Sequence, residues 1–84
     1  MSKPVFSIQT FKKVRGQLVP ASQDLALSEN GARKRAEAMV GRVIGVAAVA
    51  VTADPESGEV LAAEVLFQGG EVPDDLADKI MGRG

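Results

Sequence analysis

The stretch VAAVAVTADPESGEVLAAEVLFQ, residues 46–68, decides the fold of this chain. Residues 46–53 are small or β-branched, residues 54–58 (DPESG) have turn composition, and residues 59–68 alternate with a period of two. Pro55 suits the second position of a type I turn, and Gly58 tolerates a positive φ. The stretch therefore predicts two antiparallel strands joined by a tight turn.

The end of this stretch, EVLFQG (64–69), resembles the cleavage site of a viral cysteine protease that is often engineered into recombinant proteins. Such a segment would have to be excluded from any argument about the fold. However, the apolar alternation begins upstream of it, at Leu61 and Ala63, and continues through Val65 and Phe67. We therefore interpret the hexapeptide as the native end of the second strand.

One long helix is predicted over residues 28–43. Ser28 suits the N-cap position, where a hydroxyl accepts a hydrogen bond from an unpaired amide, and Glu29 suits the positive end of the helix dipole. Gly45 is the predicted C-terminal stop. A single apolar stripe follows the helical period at Ala32, Ala36, Met39, Val40 and Val43.

The N-terminal segment predicts a strand and a turn. Val5–Val14 has strand composition with a β-bulge near Phe11, and Arg15-Gly16 is a turn signal. Residues 18–21 are predicted at a sheet edge or in an extended connection, because Pro20 cannot donate a ladder hydrogen bond.

Residues 72–81 predict a short final helix, with Pro73 near its start and Asp74 or Asp75 as its cap. Residues 82–84 are expected to fray. All these elements together predict one domain, 1–84, of the α+β class. It has two layers: a mainly antiparallel sheet of three or four strands with the main helix across one face, and a short C-terminal helix.

The composition argues against catalysis. The chain has no cysteine and no histidine, so the commonest general base, nucleophile activator and zinc ligands are missing. Its densest carboxylates, Asp74, Asp75 and Asp78, lie at a predicted helix start, where acids more often cap a helix than hold a cation. We predict a protein that is not an enzyme, with no catalytic residue, no cofactor and no metal site.

The sequence predicts no targeting or membrane segment. The N-terminal MSKPVFSIQT lacks the apolar region of a signal peptide. The longest apolar run, residues 43–51, is far shorter than the roughly 20 residues needed to span a bilayer. We therefore expect a cytoplasmic protein without a membrane partner.

Charge is unevenly distributed along the chain. Residues 1–42 carry eight basic and three acidic side chains, a net +5, whereas residues 43–84 carry two basic and eight acidic ones, a net −6. Such asymmetry is typical of halves that face each other, within a chain or between two, or of a first half that binds an anionic partner. The candidate anion or partner patch comprises Lys12, Lys13, Arg15, Arg33, Lys34 and Arg35.

Nucleic-acid binding through that patch is one functional alternative. Against it, the chain has no tyrosine or tryptophan on which bases could stack. Ordinary solvated helix charges, including an i,i+4 pair between Arg33 and Glu37, account for the same residues.

The second face of the predicted hairpin is more apolar than a solvent-exposed sheet should be. Either the C-terminal helix and residues 25–27 cover it, or a second subunit does. Because exposed apolar patches on small domains mark interfaces, we favour a homodimer and a non-catalytic interaction module that also binds a protein partner. The candidate self-association face comprises Val46, Ala48, Ala50, Val60, Ala62 and Leu66.

Six segments together resemble a set of small bacterial proteins of unknown function: FSIQTF (6–11), GQLVPA (16–21), SENGARKRAE (28–37), GVAAVAV (45–51), DPESGE (54–59) and GEVP (70–73). The resemblance extends over most of the chain. It implies the same α+β arrangement and a cytoplasmic bacterial origin, but no activity and no functional residue.

Overall fold

The computed structural model describes residues 3–81. In chain order, its elements are β1 (Val5–Val14), β2 (Gln17–Ala26), α1 (Glu29–Met39), β3 (Gly45–Ala53), β4 (Val60–Gly70) and α2 (Leu76–Ile80). The predicted fraying of residues 82–84 lies outside the described residues.

The four strands form one open antiparallel sheet in the order β2-β1-β3-β4. The two hairpins, β1–β2 and β3–β4, meet where β1 pairs with β3 and Ile8 lies opposite Ala48. This arrangement confirms the predicted α+β class. It also confirms that Pro20 lies in an edge strand, β2, and that EVLFQG belongs to a strand, β4.

Both hairpin turns use the predicted residues. Arg15 and Gly16 have φ values of 53° and 82°, so both lie in the left-handed region that two-residue hairpin turns require. In the second turn, Asp54 Oδ1 accepts from the Glu56 amide at 2.8 Å, and Gly58 has φ 76°. The turn between β3 and β4 is therefore stabilised by the Asp54 side chain and by the positive φ of Gly58.

A β-bulge interrupts the β1–β2 ladder between Thr10 and Phe11, as predicted. Side chains supply partners for the backbone there. The Thr10 hydroxyl accepts from the Ser22 amide at 3.0 Å, and Gln9 Nε2 donates to the Ser22 carbonyl at 2.8 Å. The buried Thr10 is thus part of the bulge itself.

α1 begins where the sequence predicts. Ser28 Oγ accepts a hydrogen bond from the Gly31 amide at 3.0 Å, which satisfies one of the unpaired amides of the first turn. Ala32 and Ala36 are fully buried. Their small side chains let the helix axis come close to the sheet.

α1 ends earlier than predicted. Its last residue is Met39, and Gly41 then takes a φ of 88°, the left-handed conformation typical of a helix C-terminus. The predictions that the helix reaches Val43 and stops at Gly45 are therefore wrong. Gly45 is instead the first residue of β3, where a Cβ atom would overlap the carbonyl oxygen of Glu71.

α2 is shorter than the predicted segment 72–81. Asp75, one of the two predicted cap residues, occupies its N-cap position but makes no side-chain capping hydrogen bond. Leu76 is nonetheless buried, with 5% of its surface exposed. The helix is therefore held against the sheet by packing of Leu76, and not by an N-terminal cap.

The sheet has a hydrophobic core on each side. On the side of α1 the core consists of Ile8, Ala32, Ala36, Val46 and Ala48. On the side of α2 it consists of Phe11, Ala47, Val49 and Leu76. Neighbouring residues of β3 thus point alternately into the two cores, as in any strand buried on both faces.

Candidate interaction surfaces

The face that the sequence predicts to be free is the face that α1 covers. Val46 and Ala48 are fully buried there, in one cluster with Ala32 and Ala36, and are not available to a second copy. The predicted self-association face must therefore be corrected. Of its four remaining members, Leu66 packs against the same cluster and is partly buried. Ala50 and Val60 are also partly buried, and only Ala62 is exposed.

The physical reason for this error is that both sides of β3 are apolar. Alternation assigns residues to two faces but does not show which face a helix will cover. A register shift between Ala48 and Val49 adds to the difficulty. It allows Leu66 and Phe67, which are adjacent in sequence, to pack against the same core on the α1 side.

The opposite face, which carries α2, is only half covered. At one end Leu76 packs into the cluster with Phe11 and Ala47. At the other end Val5 is 51% exposed and Leu25 is 68% exposed. Residues 25–27, expected to act as a cover for this face, therefore do not shield it.

Strand pairing shows which residues surround the exposed pair. Val5 lies opposite Val51, and Val51 lies opposite Ala63. Leu25 lies opposite Ser7, which neighbours Val5 two residues along β1. Because directly paired residues of antiparallel strands project from the same face, these side chains form one continuous surface. We define the open patch as Val5, Leu25, Val51 and Ala63.

The lengths of the elements explain why the open patch exists. A helix of five residues, as α2 is, is about 7–8 Å long. A strand of nine residues, as β3 is, extends about 30 Å. α2 therefore covers only part of the strands beneath it. The difference in length shows that part of the face must remain uncovered, and the packing of Leu76 decides which part.

The basic residues do not form a single patch. Lys13 Nζ lies 2.8 Å from Glu71 Oε1, just beyond the end of β4. In the ladder Lys13 pairs with Leu18, which packs into the core on the α2 side. Lys13 thus projects from the face opposite to α1. Lys12 lies beside it in β1 and Arg15 lies in the turn that follows, whereas α1 carries the remaining three basic residues of the prediction: Arg33, Lys34 and Arg35.

Carboxylates already pair with the helix cations. Arg33 lies 3.4 Å from Glu29, and Arg35 lies 3.7 Å from Asp24 and donates to the Leu25 carbonyl at 3.0 Å. Three of the six predicted basic residues thus have acidic partners. Because no concentrated positive surface results, we do not propose a nucleic-acid-binding function.

A groove of about 190 Å³ lies between the β1–β2 hairpin and α2. Phe11, Leu18 and Pro20 contribute apolar walls, and Lys79 is the one charged residue that lines it. Lys79 Nζ also lies 3.9 Å from Asp75. The groove holds no pair of acid and base groups from which a catalytic site could be built.

Among residues 3–81, no three His, Cys, Asp or Glu side chains lie close enough together to hold a metal ion. None of the described helices is both long and apolar enough to cross a membrane.

The resemblance to small bacterial proteins stays a prediction. No protein-family model, curated protein or solved structure matches this chain.

Proposed function

We propose that this protein is a non-catalytic interaction module that self-associates as a homodimer through the open patch. The observation that carries the proposal is the half-covered α2 face, where Val5 and Leu25 remain 51% and 68% exposed. Contiguous apolar surface on a small domain marks an interaction site. A cytoplasmic location is part of the same proposal.

A second copy of the chain fits this surface. All four members of the open patch are apolar, so two copies can meet there without bringing like charges together. A two-fold dimer places the same patch on both subunits, which requires a surface that complements itself. Homodimer interfaces are also more apolar than the rest of a protein surface.

The total surface area supports the same conclusion. The chain exposes 5656 Å², whereas a monomer of 8.8 kDa exposes about 4,800 Å². The chain thus leaves more surface exposed than a typical monomer of its mass, as expected of a protein that buries part of its surface against a partner. With Cα extents of 38 × 27 × 16 Å, the molecule is a thin plate, a shape that exposes more surface than a sphere of the same mass.

The test is the solution mass of the protein, measured by sedimentation from low to high micromolar concentration. We expect a mass that approaches that of two chains in the wild type, and a monomer in Val5→Lys and Leu25→Lys. A lysine placed in the patch would bring two like charges together in the dimer and would leave an ammonium group without water.

Val14→Lys is the matched control. Val14 lies on the same strand as Val5, at its opposite end, and is similarly exposed at 46%. This variant should associate like the wild type. A wild-type chain that stays monomeric at high micromolar concentration, or a Val14→Lys variant that dissociates as readily as Val5→Lys, would contradict the proposal.

A further inference from the structure

A different surface, the outer edge of β4, has the properties of a strand-binding site. We propose that this edge binds an extended, positively charged segment of another protein, which adds to the sheet as a fifth strand. The site differs from the open patch, which lies on a face of the sheet. The two share Ala63, whose side chain belongs to the patch and whose backbone belongs to this edge.

The backbone of β4 is free on its outer side. β4 pairs with β3 alone, and no backbone hydrogen bond from another described residue reaches residues 60–69 from outside the ladder. A row of unpaired amide and carbonyl groups is a template for an incoming strand. An extended peptide satisfies these groups with main-chain hydrogen bonds.

The other edge of the sheet is protected. β2 contains Pro20, which has no amide hydrogen, and its ladder shifts register beside that residue, between Thr10 and Phe11 of the partner strand. The missing amide of Pro20 hinders strand addition on this edge. β4 contains no proline, so the two edges differ in their capacity to accept a strand.

Two register shifts define where a partner strand would pair. Between them, residues 62–65 of β4 lie regularly opposite residues 49–52 of β3. Immediately beyond, a groove of about 440 Å³ runs beside residues 65–68 and is bordered by Pro73, Asp74, Leu76 and Ala77. The edge therefore offers a short regular ladder followed by room for a side chain.

The surroundings of this edge are acidic. Residues 43–78 contain eight acidic side chains and no lysine or arginine. Lys13 pairs with Glu71 and Lys79 with Asp75, but no ion pair among the described residues involves Glu59, Glu64 or Asp74. Their uncompensated negative charge favours a basic partner.

The same charges disfavour a second copy as the occupant. A second copy of β4 paired along this edge would bring its own Glu59, Glu64 and Asp74, which have no ion-pair partner among the described residues, to the same seam. Like charges opposite each other destabilise a strand pair, so the occupant we propose is a basic segment of a different protein.

The experiment titrates a labelled, capped peptide of alternating valine and lysine, long enough to pair with residues 62–65. Backbone amide shifts report the binding site. We expect the largest shifts at residues 62–65, and an affinity that falls on the order of tenfold in Glu64→Lys because attraction becomes repulsion. A peptide with an N-methyl group at every residue should not bind, because it has no amide donor on either edge.

Glu37→Lys is the matched control for charge. It makes the same change in net charge at an exposed position of α1 and should bind the peptide like the wild type. The monomeric Val5→Lys variant should bind it equally well, which separates this proposal from the homodimer.

Three results would overturn the proposal: equal loss of binding in Glu64→Lys and Glu37→Lys, undiminished binding of the N-methylated peptide, or no binding at low salt. Undiminished binding of the N-methylated peptide would mean that charge alone attracts it. If Glu64→Lys fails to fold, the N-methylated peptide and the wild-type protein still decide the question. A wild-type dimer that the peptide dissociates would show that a second copy occupies this edge.

Discussion

Gly45 lies where two segments of backbone come closest. A Cβ atom there would overlap the carbonyl oxygen of Glu71, and the Glu71 amide donates to the Ile44 carbonyl at 2.9 Å. The chain leaving β4 is therefore held against the start of β3. Because the neighbouring atoms belong to the backbone, they cannot move aside as the end of a flexible side chain would.

Gly45→Ala should therefore lower the free energy of unfolding by about 2–3 kcal/mol, the cost of forcing extra volume into a packed region. Urea denaturation measures the change. Gly58→Ala is the comparison, because Gly58 has a positive φ but open space around it, and it should cost only about 1–2 kcal/mol. Equal losses in the two variants would show that contact with Glu71 does not restrict position 45.

At the scale of elements, α1 packs against the sheet mainly through small side chains. Its buried side chains are the small residues Ala32 and Ala36, which release less free energy on burial than larger apolar side chains. Arg35 adds a hydrogen bond to the Leu25 carbonyl of β2. The stability of the helix therefore depends noticeably on its N-terminal cap.

Ser28→Ala should destabilise the protein by about 1 kcal/mol, because the Gly31 amide loses its acceptor. Thermal unfolding followed by circular dichroism measures the loss. Ser28→Asp keeps an acceptor at the same position and should retain most of the stability. If both variants lose equal stability, the hydroxyl is not acting as a cap.

At the scale of the whole molecule, Leu76 attaches α2 to the hydrophobic core on its side of the sheet. Leu76 is the only buried residue of α2 and joins the cluster with Phe11, Ala47 and Val49. A domain of this length has a total stability of only roughly 4–13 kcal/mol. Loss of this contact would weaken the attachment of the C-terminal segment, which also packs against this cluster through Val72 and Ile80.

Leu76→Ala should cost about 2–5 kcal/mol, the usual range for truncating a buried leucine. Leu61→Ala is the matched control, because Leu61 is 50% exposed and its loss should cost much less. Urea denaturation, followed by a fluorescent label on each face of the sheet, measures the free energy of unfolding of both variants. A Leu76→Ala variant as stable as Leu61→Ala would mean that α2 contributes nothing to the core.

Local interactions determined most of the fold, and sequence patterns reveal them. The hairpin of β3 and β4, the glycine at position 58, the cap at Ser28 and the edge location of Pro20 each depend on residues close together in sequence. Turn chemistry, capping and the missing amide of proline act over a few residues. The sequence therefore suffices to predict the α+β class, the main helix and an antiparallel sheet, although it leaves the number of strands at three or four.

The tertiary structure alone decided which surfaces remain exposed. Both sides of β3 are apolar, so only the packing of α1 against Val46 and Ala48 shows that this side is core. The open patch likewise unites Val5, Leu25 and Ala63 from three strands. Such assignments depend on strand register and on contacts between distant residues, neither of which a local pattern of side chains encodes.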